Sequence, residues 1–221
     1  WIVLTSHHDT TVDSPGANDN ASGTTVVMET ARLLARLKEE HGISPGRSIR
    51  FVTFGSEEQA LQGSFRYAER HYGDEPLPRL LINLDELAKG SMKGVALQFP
   101  ELRPLIQREL DEMGEGLKCH VMADMDSSGD MYPFALKGIP SGMLWRWRFV
   151  GGHPDAGFGP SANDTVDKVR IRELKEYSGF LSRILLRTSH VVPEDWPENK
   201  LDVAAIKARS ASERGSVVRT M

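Results

Sequence analysis

The sequence predicts an α/β fold: a mostly parallel central sheet with helices on both faces. Three observations predict it. Short apolar runs alternate with longer segments whose apolar residues recur at helical spacing. The chain has 221 residues, 39% hydrophobic and 26% charged, enough for one sizeable domain with its own core. Clusters of histidine and carboxylate residues follow several of the apolar runs, and open α/β sheets carry function at the carboxyl ends of their strands.

Trp1-Ile2-Val3-Leu4 is a short apolar run that fits a buried strand. Gly23 to Glu40 reads as a helix, because Val26, Val27, Ala31, Leu34 and Leu37 recur at helical spacing with charge between them. Ser22 or Thr24 is expected to cap its start. Gly42 to Arg47 is a loop. Ser48 to Phe54 alternates and is rich in β-branched and aromatic residues, the pattern of a strand. Ser64 to Tyr72 reads as helix, and Arg79 to Leu84 as another buried strand, followed by Asp85. Val95 to Phe99 is a further strand, Leu102 to Met113 a helix and Leu117 to Met122 an extended segment. Pro133 to Leu136 closes a short helix, and Ile139 to Leu144 leads into one more strand. Ile171 to Arg187 is an amphipathic helix with Ile171, Leu174, Leu181, Ile184 and Leu185 on one side. The folded domain is therefore expected over residues 1–190, with a polar, weakly patterned and loosely attached tail over 191–221.

Composition narrows the function classes. The net charge is −4 with no long basic run, which argues against a nucleic-acid partner. The single cysteine, Cys119, excludes an internal disulfide framework and a cysteine-based metal site. No apolar stretch approaches transmembrane length, and no signal peptide is visible. The chain begins at Trp1, inside a strand, so it reads as a fragment or a processed form whose N-terminal strands lie upstream. Its location is then either cytoplasmic, or secreted or periplasmic with an upstream signal lost. The sequence sets no oligomeric state.

The clusters carry the chemistry. His7 and Asp9 are two apart on an extended segment and face the same side, so His7 can bind a metal while Asp9 orients it; His8 points away. Alone, this is equally a histidine-rich strand end. Asp19 lies in the small-residue loop Gly16-Ala17-Asn18-Asp19-Asn20-Ala21-Ser22-Gly23, where a carboxylate can bridge two cations or can simply belong to a helix-capping loop. Glu57 and Glu58 follow an apolar strand and precede Gly63-Ser64. Their side chains diverge, so one can bind metal while the other stays free as a base, taking a proton from the attacking water and passing it to a leaving amine. Asp85 ends the run Leu80-Leu81-Ile82-Asn83-Leu84, and an ionised carboxylate there needs a partner: a metal, a helix N-terminus or an arginine.

These motifs in this order resemble the co-catalytic zinc exopeptidase family, which includes bacterial leucyl aminopeptidases, aminopeptidase Y and the glutamate carboxypeptidase relatives. Asp130-Met131-Tyr132-Pro133-Phe134, Gly138-Ile139-Pro140 and Asp164-Thr165-Val166-Asp167-Lys168-Val169 add to the resemblance, which covers residues 1–187. It implies a phosphorylase/hydrolase-like sandwich. His7 and Asp85 would hold the first zinc, Glu58 the second, and Asp19 would bridge them. Glu57 would be the general base, with Asp9 behind His7. The implied activity is hydrolysis of the N-terminal peptide bond of a peptide or aminoacyl substrate. Mixed histidine and carboxylate ligands also suit manganese or cobalt.

The sequence departs from the family at two places. The family usually carries a histidine, the last ligand of the second metal, where Pro160 stands here. Either His153 in Gly151-Gly152-His153-Pro154 substitutes, or the second site binds weakly and the enzyme holds one ion, or the chain is a fold-retaining, catalytically impaired relative that binds metal or a partner. The family also often has Asp-His at the position of Asp130-Met131. Trp145 and Trp147 follow a strand directed at the site and either line a substrate pocket or pack. A carboxypeptidase, with Arg146 and Arg148 receiving a carboxylate, and a glutaminyl cyclase-like acyl transfer rank lower.

Overall fold

The computed structural model describes residues 1–88, 90–121, 126–146, 161–197 and 208. Six strands, β1 (Ile2–His7), β2 (Ile49–Phe54), β3 (Leu80–Asn83), β4 (Met92–Leu97), β5 (Lys118–Val121) and β6 (Ser141–Arg146), form one sheet in the order β2-β1-β3-β6-β4-β5. The helices are α1 (Gly23–His41), α2 (Gln62–His71), α3 (Arg103–Met113), α4 (Tyr132–Ala135) and α5 (Ile171–His190). All strand pairs are parallel except β4 with β6, which run antiparallel. The predicted α/β architecture is therefore present, with a mixed rather than purely parallel sheet.

Alternation along the strands divides the core in two. Ile2, Leu4, Leu80 and Ile82 face a layer containing α1, α3 and α5, where Val26, Val27, Ile106, Leu110, Tyr177, Leu181 and Ile184 are buried. Val3 and Leu81 point to the other side, against Ala68 of α2 and Phe134 of α4. Parallel strands covered on both faces need apolar residues at successive positions, which is why Ile2-Val3-Leu4 and Leu80-Leu81-Ile82 are unbroken apolar runs. α5 lies against α1 and α3 and closes that layer.

The structure shifts several predicted boundaries. β1 runs on to His7, so this histidine is the last residue of the strand. β4 begins at Met92 rather than Val95, a start hidden by Lys93 and Gly94, which interrupt the apolar pattern. Neither Ser22 nor Thr24 caps α1. Ser22 Oγ donates to the Asn18 carbonyl and Thr24 Oγ1 to the His7 carbonyl, while Asn20 Oδ1 accepts the Gly23 N–H. Beyond α5, Trp196 is buried, its Nε1 donates to the Val191 carbonyl, and its ring lies 5.6 Å from the Arg47 guanidinium. No helix among the described residues is long and apolar enough to cross a membrane.

Candidate metal centre

The parallel register brings the clusters to one end of the sheet. His7 pairs with Phe54 across β1 and β2, and Thr5 with Asn83 across β1 and β3. The residues just past β2 and β3 therefore emerge beside His7: Glu57 and Glu58 from one strand, Asp85 from the other.

Asp19 comes from a kinked helical turn, Ala17–Ser22, that enters α1 with a cis Asp19–Asn20 peptide. The polar residues of this turn tie it to the segment after β3. Asn20 Nδ2 donates to the Leu84 carbonyl at 2.8 Å, Ser22 Oγ accepts the Leu87 N–H at 2.9 Å, and Asn18 Oδ1 accepts the Ala88 N–H at 2.9 Å. Asp85 sits within that segment, so these bonds set its position relative to Asp19. Gly23 must be glycine, because a Cβ there would lie 2.3 Å from Asn20 Oδ1 and 2.8 Å from the Leu84 carbonyl oxygen. On its other side the turn rests on Asp164, whose carboxylate accepts the N–H groups of Asn18 at 2.7 Å and Asp19 at 2.9 Å.

Asp9 does a similar task for the glutamates. Its two oxygens accept the N–H groups of Glu57 at 3.1 Å and Glu58 at 3.3 Å. The same turn needs Gly63, since a Cβ there would fall 2.1 Å from the Gly55 carbonyl oxygen. Asp9 also faces His7. Its carboxylate is 3.4 Å from His7 Nδ1, and its carbonyl oxygen accepts from Nδ1 at 3.1 Å. A carbonyl only accepts, so Nδ1 carries a proton and Nε2 is the atom presented to the cluster.

At Nε2 the carboxylates converge: Asp19 Oδ1 at 3.2 Å, Asp85 Oδ1 at 3.4 Å and Glu57 Oε2 at 3.9 Å. His7, Asp19 and Asp85 offer ligand atoms that all lie within 4.8 Å of one another. A tetrahedral zinc with bonds of about 2.0–2.1 Å spaces its ligand atoms by about 3.3–3.4 Å, so the His7 distances fit such an ion. Glu58 is outside this trio. Its Oε1 is buried and has no hydrogen-bond partner among the described residues, as expected of an oxygen aimed at a cation.

The charge balance points the same way. Burial alone would lower the pKa of His7, but Asp19, Asp85 and Glu57 outweigh it and push it up to about 12. Burial holds Glu57 at about 8, with Asp85, Asp130 and Glu58 adding to the rise and His7 opposing it. Glu58 is raised to about 7, again first by burial and then by Asp19. Asp19 is raised as well, by burial against the pull of His7. Asp130, fully buried ahead of α4, is raised by burial to about 6. A buried group of acids that retains protons near neutrality is a site in which a dication replaces them.

All six sequence-predicted site residues, His7, Asp9, Asp19, Glu57, Glu58 and Asp85, meet at this end of the sheet. Sequence reasoning missed the residues that hold them: Asn18, Asn20 and Ser22, whose polar side chains in a buried turn were the available signal, and Asp164. Pro160, His153, Trp147 and Arg148 lie outside the described residues, as do the side chains of Trp145 and Arg146. Cys119 is a buried free thiol in the core, its pKa pushed up to about 11 by burial, away from the cluster of acids.

The sequence profile of peptidase family M28 matches residues 1–185. Aminopeptidase YwaD of Bacillus subtilis is 39% identical over 84 residues, covering 38% of this chain and 17% of that protein. The probable lipoprotein aminopeptidase LpqL of Mycobacterium tuberculosis is 30% identical over 199 residues, covering 76% of this chain and 38% of that protein. Among solved structures, a zinc aminopeptidase from Bacillus subtilis superposes with a TM-score of 0.66 at 25% identity, over 89% of this chain and 49% of that one. The chain thus spans less than half the length of each of these relatives.

Proposed function

The chain belongs to peptidase family M28, and from that premise we propose that it is a zinc-dependent aminopeptidase acting on the N-terminal peptide bond of peptides. The observation that carries this reading is the approach of Asp19 and Asp85 to His7 Nε2, at 3.2 and 3.4 Å, with Glu57 alongside at the same end of the sheet.

Each residue has a task. His7 Nε2 and Asp85 hold one zinc, Asp19 bridges, and Glu58 serves the second. When bound, zinc polarises the scissile carbonyl and makes water more acidic. Asp9 keeps the His7 ring in the tautomer that leaves Nε2 available, and through the Glu57 and Glu58 N–H groups it aims the glutamate turn. Glu57 takes the proton of the attacking water at a carboxylate oxygen and returns it to the leaving amine. Its burial supports this role, since a base whose pKa is pulled toward neutrality can both accept and release a proton. Manganese or cobalt suits the same donors.

A second reading, a metal-binding relative without turnover, is favoured by one feature: Pro160 at the position where the family usually has its last ligand. The two are separated by hydrolysis of aminoacyl p-nitroanilides with added zinc, cobalt or manganese. Turnover that chelator abolishes and Glu57→Gln suppresses supports the peptidase. Stoichiometric zinc binding without turnover across an aminoacyl panel supports the second reading.

A further inference from the structure

Asp164 is the most unusual charged residue outside the cluster of ligands. It is completely buried, yet its side-chain oxygens face no lysine or arginine among the described residues. Both oxygens are used on backbone: Oδ1 on Asn18 N–H and Oδ2 on Asp19 N–H. Its own carbonyl accepts the Ala17 N–H at 3.2 Å, and its N–H donates to the Ser161 carbonyl at 3.0 Å. One residue thus takes the N–H groups of three consecutive residues, the last of them Asp19. These bonds cross 145 positions of sequence and join the segment ahead of α5 to the turn entering α1.

We infer that Asp164 is a positioning residue for Asp19, acting through the backbone of the bridging ligand rather than by touching substrate or metal. The inference rests on the reading of Asp19 as a ligand. Three features separate it from ordinary packing. The turn has non-helical backbone at Asp19 and Asn20, so its N–H groups find no partners in a regular helical ladder. The side opposite Asp164 is already fastened to the segment carrying Asp85 by Asn18, Asn20 and Ser22. Removing the Asp164 carboxylate therefore leaves the turn held from one side only, free to carry Asp19 away from His7. The segment around Asp164 is also fastened independently: Thr165 Oγ1 donates to Asp167, and Lys168 Nζ lies 2.8 Å from Asp167 Oδ2.

The test compares Asp164→Asn, Asp164→Glu and the surface control Asp167→Asn with the unaltered chain. An asparagine amide accepts one of the two N–H groups and presents a donor to the other. Zinc affinity is read by competition with a chromogenic chelator, kcat and KM with an aminoacyl p-nitroanilide, and folding by thermal melting. Asp164→Asn is expected to weaken zinc binding by about 10- to 100-fold, the usual effect of losing a residue that orients a ligand. At saturating zinc its kcat stays reduced while KM changes little, and Asp167→Asn leaves both at the unaltered level. Zinc affinity and kcat within twofold of the unaltered chain in folded Asp164→Asn would overturn the inference. If neither Asp164 variant folds, amide hydrogen exchange on the unaltered chain decides. Asn18 and Asp19 N–H groups protected to the level of α1 support it, and exchange as fast as the exposed loop at Thr10–Asp13 overturns it. Zinc affinity and amide protection are read without substrate, so a chain that binds zinc as expected but hydrolyses nothing counts against the peptidase reading and leaves this inference intact.

Discussion

The backbone N–H of Glu57 donates to Asp9 Oδ1 at 3.1 Å, so the residue that faces His7 also fixes the start of the glutamate turn. Asp9→Ala removes both functions with a single carboxylate. It is expected to lower kcat by about 10- to 100-fold and to weaken zinc binding over a similar range. Steady-state kinetics with zinc titrated to saturation checks this. A variant whose kcat recovers fully at high zinc would assign Asp9 to metal binding alone.

Glu57→Gln keeps the shape of the side chain and removes the proton acceptor. The expected loss in kcat is about 10²- to 10⁴-fold, the usual weight of a general base. Zinc affinity should change little, because His7, Asp19 and Asp85 form the close trio without it. Paired kinetics and metal titration separate the effects, and a collapse of zinc binding in this variant would make Glu57 a ligand instead.

The metal-free chain should lose stability as pH rises. Burial raises Glu57 to about 8 and Glu58 to about 7, above the 4.5 of an ordinary glutamate. Between these values the folded chain keeps protons that the unfolded chain has released, so stability is fully present below pH 4.5 and is lost as pH rises through 7 to 8. His7, raised from 6.5 to about 12, adds a loss of the same sign above neutrality. Melting temperatures of the chelated chain should fall between mildly acidic and mildly alkaline pH, and Glu57→Gln should flatten the slope. Saturating zinc should reverse the trend, since a cation replaces the protons. A flat profile in the chelated chain would mean that these carboxyls are not perturbed.

Ser22→Ala deletes the acceptor for the Leu87 N–H and the donor to the Asn18 carbonyl. Leaving a buried N–H unpaired costs about 1–3 kcal/mol. The variant should melt earlier and bind zinc more weakly than a substitution of equal stability cost in α3, such as one at Met113, because Ser22 also braces the Asp19 turn against the Asp85 segment. Equal zinc affinities in the two variants would confine Ser22 to stability.

How much of this was legible depends on how local each signal is. β1 and β3 are readable because Ile2-Val3-Leu4 and Leu80-Leu81-Ile82 must be apolar at every position to be covered on both faces. His7 and Asp85 follow from where those runs stop. The helical boundaries of α1 and α5 moved by a few residues, because the buried stripe marks a helix face better than its ends. The antiparallel pairing of β4 with β6 was not readable, since an apolar run carries no direction. Asp164 was visible only as part of a motif. Nothing local in Asn163-Asp164-Thr165 indicates that its carboxylate reaches back to Asn18 and Asp19. Ser22 was read as a cap because serine before a helix usually is one; here tertiary contacts claim its hydroxyl and Asn20 takes over the Gly23 N–H.

The most direct test of the central claim is hydrolysis of leucine p-nitroanilide by the chain after chelation, repeated while zinc is added back in known equivalents, with His7→Ala alongside. The account predicts no turnover after chelation, recovery that tracks bound zinc, and neither zinc binding at this site nor recovery in His7→Ala. Turnover that survives chelation, or that returns in His7→Ala as in the unaltered chain, would contradict it.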